Sequence, residues 1–208
     1  MKELILLFFI LVCSSTAFSQ STAQTVTIGD QVWTTKNLNV DKFRNGDPIP
    51  EAKTEEEWIK AGKNKQPAWC YYDNDPENGE KYGKLYNWYA LNDPRGLAPV
   101  GYHVPSDSEW KQLIKNLAEN IEFLDTAEER IRQLIDKANE IGFSQLPSGA
   151  RSNDGPFGLL GSSGYWWSST ESSTESEWGA WFQQLDYFKV EAIEGGKDNG
   201  LSIRCLKD

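Results

Sequence analysis

Histidine is nearly absent from this chain: His103 is the only one in 208 residues. Hydrolytic triads and most zinc sites draw on histidine, so a single imidazole leaves few catalytic arrangements. Inside the connector VGYHVP, a packing or capping role is the expected one. Cysteine is almost as sparse, at three, and Cys13 falls at the end of an N-terminal apolar run. Positive charge is in deficit, with 21 Lys and Arg against 31 Asp and Glu and a net charge of −10. Without a basic cluster, that balance argues against nucleic acid or an anionic membrane as partner. Long apolar runs are missing too. The one sustained run, residues 4–12, is about half of the roughly 20 residues that a membrane-spanning helix needs.

That run has the layout of a secretory signal peptide, with Lys2 before it and small polar residues after it. Ala17-Phe18-Ser19 fits the small-x-small cleavage rule, so residues 1–19 are expected to be removed and residues 20–208 to form one domain. Val12 is larger than the usual neighbour of a lipidated cysteine, which favours soluble export, periplasmic or to the cell surface, over a lipid anchor. Export makes a disulfide between Cys70 and Cys205 the expected state, the alternative being two separate buried thiols.

Aromatic residues are abundant: nine Trp, eight Tyr and nine Phe imply a core of large rings, a sugar-facing surface, or both. The stretch GYWWSSTE, residues 164–171, sharpens the choice. Successive strand side chains point to opposite faces, so Trp166 and Trp167 cannot enter one core unless the backbone bends. The candidate ligand surface is Trp166, Trp167, Trp178 and Trp181, with Glu171, Gln183 and Asp186 beside them. Rings of this kind stack on sugars or peptide side chains, and the neighbouring polar groups can take hydroxyls. For each ring, core packing is the competing role.

Local patterns fix several elements. TVTIGDQVWTT predicts a hairpin around Gly29-Asp30. Thr54-Glu55-Glu56-Glu57 and Ser106-Asp107-Ser108-Glu109 are capping boxes. After the second, Trp110, Leu113, Ile114 and Leu117 fall at helical spacing, and Thr126 opens another helix with Ile131, Leu134, Ile135 and Ala138 on one face. AWCYY reads as a strand and DNDPENG as a turn-rich loop. Counted as an EF-hand, that loop places Asn78 where glycine is required and Lys84 where glutamate is required, so the match fails. In LSIRCL, alternation sends Leu201, Ile203 and Cys205 inward. Helices in the middle with strands at both ends give an α+β class.

Six ordered blocks carry a family resemblance: GDQVWTTKNL, YGKLYNWYAL, APVGYHVPSDSEWKQL, FSQLPSGAR, YWWSSTE and GLSIRCLKD. Together they resemble the Fibrobacter succinogenes major paralogous domain over nearly all of residues 26–208. The resemblance implies a C-type-lectin-like fold related to formylglycine-generating enzymes, with two main helices on a small, loop-rich, mostly antiparallel sheet. It also implies adjacent first and last strands. Where such domains carry a glycine- and asparagine-rich loop, this chain has a helical segment around 121–142. The enzymes of that branch use a cysteine pair near the C-terminal strand. Here Cys205 has only the distant Cys70, so no catalytic residue, metal or cofactor is assigned. The expectation is an exported, non-catalytic module that binds glycan or protein at the bacterial cell envelope. The alternative is a structural or assembly module of a surface complex, with no small ligand.

Overall fold

The computed structural model describes residues 24–119, 126–143, 147–172, 180–185 and 190–208, with the backbone alone at 127, 180–185 and 190. The expected signal peptide therefore lies outside the described residues. Strands β1 (Thr25–Ile28) and β2 (Gln31–Thr34) form the predicted hairpin. Gly29 turns between them at φ +61, where a Cβ would meet the Asn116 amide at 2.2 Å, so a side chain is excluded twice over. Thr54 then opens α1 (Glu55–Lys63) with both bonds of its capping box in place.

After β3 (Trp69–Cys70), the chain departs from the loop expected for DNDPENG. It makes a 3₁₀ turn, Tyr72–Asn74, and then α2 (Pro76–Tyr82). Asp75 is the N-cap and Pro76 the first helical residue. An acidic cap followed by proline starts a helix without any apolar stripe, which is why the turn-forming residues hid it. YGKLYNWYAL divides into β4 (Leu85–Tyr86) and α3 (Trp88–Leu91) at Asn87, whose Oδ1 accepts from the Ala90 N–H at 3.0 Å.

Next come β5 (Tyr102–His103) and α4 (Asp107–Ala118), which starts on the second capping box and buries Trp110, Leu113 and Leu117. Helix α5 (Ala127–Glu140) has Thr126 as its N-cap, and Gly142 turns the chain away at φ +85. The remaining strands are β6 (Ser148–Arg151), β7 (Phe157–Leu160), β8 (Gly164–Glu171), β9 (Ala180–Leu185), β10 (Val190–Gly195) and β11 (Leu206–Lys207). The class is α+β, with five α-helices among the described residues.

Three small sheets run in the orders β1-β2-β11-β5, β10-β9-β8-β6-β7 and β3-β4. Their ladders are antiparallel except β6 with β8, which pair in parallel at Gly149 and Gly164. The last strand sits beside the first hairpin: Leu206 faces Trp33 of β2 on one side and His103 of β5 on the other.

Strand β8 lies between two apolar clusters. Trp167 packs with Leu38, Trp69, Tyr86, Trp88 and Ile203, while Trp166 packs with Trp33, Trp110, Leu113 and Phe143. No bend is needed to bury both rings, because each face of the strand has its own core. Residues 201–206 run the same way, with Leu201, Ile203 and Cys205 in the Trp167 cluster and Leu206 in the Trp166 cluster. Ser202 and Arg204, on the opposite phase of the alternation, are buried as well. Main-chain bonds join the two segments, from Trp167 N–H to Ser202 O at 3.0 Å and from Ser202 N–H to Tyr165 O at 3.1 Å.

The predicted Cys70–Cys205 bridge is not formed. Both residues are free, buried thiols. The inward phase of residues 201–205 sends Cys205 into the Trp167 cluster, whereas β3 places Cys70 in a third cluster with Trp58, Tyr72 and Leu85. Burial pushes Cys70 up to about 11 and Cys205 up to about 12, so both stay protonated and unreactive at neutral pH.

Candidate functional site

Neither tryptophan of GYWWSSTE presents a face to solvent: Trp166 is 4% exposed and Trp167 0%. Their indole N–H groups bond inside the protein, Trp166 to Asn37 Oδ1 at 2.9 Å and Trp167 to the Tyr86 carbonyl at 2.7 Å. Glu171 at the end of β8 is exposed but paired with Lys197, whose Nζ lies 4.7 Å from the centre of the Trp88 ring. Trp181 and Gln183 belong to β9, where the Gln183 backbone pairs with Trp166. Their side chains, and the whole of Trp178 and Asp186, lie outside the described residues. The structure thus takes the two best-placed rings of the predicted surface into the interior.

His103 is held between two carboxylates, with Nδ1 2.8 Å from Asp208 Oδ1 and Nε2 2.9 Å from Glu109 Oε1. A neutral imidazole can donate only once, so two carboxylate acceptors select the imidazolium. Partial burial works against that charge, but the bonds to Asp208 and Glu109 outweigh it and raise the pKa above 6.5. Burial also opposes the Glu109 carboxylate. The Ser106 N–H and hydroxyl, together with His103, more than offset it and hold the pKa below 4.5. The same Glu109 closes the α4 capping box, so the histidine ties the last strand to the start of that helix. Its geometry is that of a fastener. Among the described residues, no three of His, Cys, Asp and Glu come together as a metal set.

A cleft of about 550 Å³ opens elsewhere, between residues 35–39, the C-terminal end of α2 and the turn after α5. Its walls carry Gln24, Thr35, Lys36, Asn37 and Asn39 on one side and Gly79, Glu80, Lys81 and Gly83 on the other, with Gly142 and Arg204 completing it. Among the described residues, no apolar side chain lines it.

Asn37 holds the floor. Its Oδ1 accepts from Trp166 Nε1 and, at 3.1 Å, from Arg204 Nε, while its Nδ2 donates to the Tyr82 carbonyl at 2.8 Å. Arg204 is 1% exposed, donates to the Thr34 carbonyl at 3.1 Å and lies 4.6 Å from the Phe143 ring. Burial lowers its pKa from the ordinary guanidinium value. Gly83 lets α2 close against this floor: at φ +78, a Cβ would stand 2.8 Å from the Leu38 carbonyl oxygen. The Asn39 Nδ2 donates to the Gly79 carbonyl at 3.1 Å and links the two walls.

At the mouth, Lys36, Glu80 and Lys81 are exposed. Among the described residues, none of the three takes an ion-pair partner, and Lys81 makes only a ring contact, 4.8 Å from the centre of Tyr82. The cleft therefore offers exposed cationic donors above a rigid amide and guanidinium floor, an arrangement suited to binding a polar ligand. Sequence reasoning missed these residues. Their one local signal is the polar run TKN directly after β2, where a buried hairpin strand has no further need of lysine or asparagine.

No helix among the described residues is long and apolar enough to cross a membrane. No curated protein and no solved structure matches the chain. A family model does match, and it runs from within β1 to the end of β11: over residues 26–207 the chain belongs to the Fibrobacter succinogenes major domain family.

Proposed function

We propose that this chain is a non-catalytic recognition module of the bacterial cell envelope, built on a C-type-lectin-like scaffold, and that it takes its ligand in the Lys36–Lys81 cleft. The observation that carries this reading is the contrast within the site. Asn37 and Arg204 are fixed by hydrogen bonds at the floor. Lys36, Glu80 and Lys81 stand exposed at the mouth with no ion-pair partner among the described residues. A volume of about 550 Å³ falls within the roughly 300–1,000 Å³ usual for small-ligand sites. The C-type-lectin-like assignment is supported by the adjacency of the first hairpin and the last strand and by the long irregular connections around short strands.

The test is an array of glycans and envelope peptides probed with residues 20–208 and with the Glu80→Trp variant. Glu80 is an exposed wall residue, so an indole there fills the cleft without entering a core. Binding that disappears in the variant, at unchanged thermal stability, is the expected result. Binding unaffected by the indole would remove the cleft from the reading. A chain that binds nothing on the array would favour an assembly module without a small ligand.

A further inference from the structure

Resting on the cleft as the recognition site, we infer that it selects an acidic saccharide, engaging the carboxylate of a uronic-acid residue with Lys36 and Lys81 and the sugar hydroxyls with the surrounding amides. The charge of the cleft runs against that of the protein. The chain carries a net −10, yet among its described residues this cleft gathers Lys36, Lys81 and Arg204 against one acid, Glu80. Cations concentrated in a recess of an acidic molecule make a local positive field there, and an anionic group is what such a field attracts.

The rest of the lining sets the ligand class. Peptide sites that read a helix face or a proline-rich segment hold apolar side chains in apolar grooves, and the described residues of this cleft include no apolar side chain to build one. They supply the exposed Gln24 and Asn39 and the half-buried Thr35 hydroxyl. Asn39 uses only its Nδ2, on the Gly79 carbonyl, and so keeps its Oδ1 as an acceptor for hydroxyl donors. Glu80 narrows the anion. A carboxylate beside Lys81 repels a doubly charged phosphate more than a singly charged carboxylate, and it can itself accept from sugar hydroxyls. The floor needs little reorganisation, because Trp166, Tyr82 and Arg204 already hold Asn37 in place.

The experiment is a calorimetric titration of residues 20–208 with trigalacturonate, its methyl ester and inorganic phosphate. It is repeated with Lys36→Gln, Lys81→Gln, the double variant and Glu80→Trp. Expected are binding of trigalacturonate at low salt, about tenfold weaker binding of the ester, and a loss of roughly threefold for each lysine and about tenfold for the pair. Salt weakens the acidic ligand and leaves the ester unchanged. Both lysines are exposed, so the variants keep the parent thermal transition. The inference is overturned if trigalacturonate binds no better than the ester or phosphate, if the double variant retains full affinity, or if trigalacturonate does not bind at all. Array binding that Glu80→Trp still abolishes would then leave the cleft as the site and remove only the acidic class. Array binding indifferent to Glu80→Trp removes both.

Discussion

Strand β8 and the cleft beside it use their polar and aromatic groups in opposite ways. Along β8, Trp166 and Trp167 fill separate cores, their N–H groups are bonded internally, and Ser168 is fully buried. Around the cleft, the floor is bonded just as fully, but Lys36, Glu80 and Lys81 at the mouth take no ion-pair partner among the described residues. Asn37 belongs to both regions, since one oxygen serves Trp166 and Arg204. The difference teaches where change is tolerated: a residue such as Asn37 that anchors a core ring resists substitution, while the mouth of the adjoining cleft can vary with its ligand.

Four measurements sharpen or break that contrast. Trp167→Ala leaves a large void and removes one of the two hydrogen bonds that the Tyr86 carbonyl accepts, so denaturant unfolding should show a loss of about 3–5 kcal/mol. A change below about 1 kcal/mol would mean that the ring is not core. Ser106→Ala removes the hydroxyl that caps α4 and should cost about 1 kcal/mol in the same assay.

His103 should show itself through pH. Its raised pKa means that its stabilisation is fully present below 6.5 and disappears as pH rises through the higher folded value. The lowered Glu109 pKa gives stabilisation present above 4.5 and lost as pH falls through the lower folded value. The fastener is therefore strongest between those limits. His103→Gln should narrow the gap in thermal stability between pH 6 and pH 9 by a few tenths of a kcal/mol, the small size reflecting solvent screening. A parallel pH profile in wild type and variant would contradict the arrangement. At the small end, Lys36→Gln and Lys81→Gln should each leave stability within about 0.5 kcal/mol of the parent.

What could be read from the sequence was whatever depends on near neighbours. The Gly29-Asp30 turn, the boxes at Thr54 and Ser106, and the stripe of Trp110, Leu113 and Leu117 are all set within a few residues, and each is found in place. Helix α2 was lost because Asp75 and Pro76 start a helix with the same residues that make a turn. Alternation in GYWWSSTE announced that the two indoles part company but could not tell that a second core awaits the outer one. That core is assembled from β2, α4 and Phe143, far away along the chain. The thiols failed for a related reason, since export makes pairing plausible while only tertiary packing decides which cluster each enters. The cleft was the least legible, because its walls come from residues near 24, 35–39, 79–83, 142 and 204.

Strand β8 and residues 201–206 form a party wall between two rooms, and such a wall cannot be taken down on one side alone. Opening either cluster strips cover from segments that the other needs, so melting of the two should be a single event. Calorimetric and van't Hoff enthalpies should then agree. The amides of Trp167 and Ser202, bonded across the wall, should exchange with solvent only when the whole molecule unfolds.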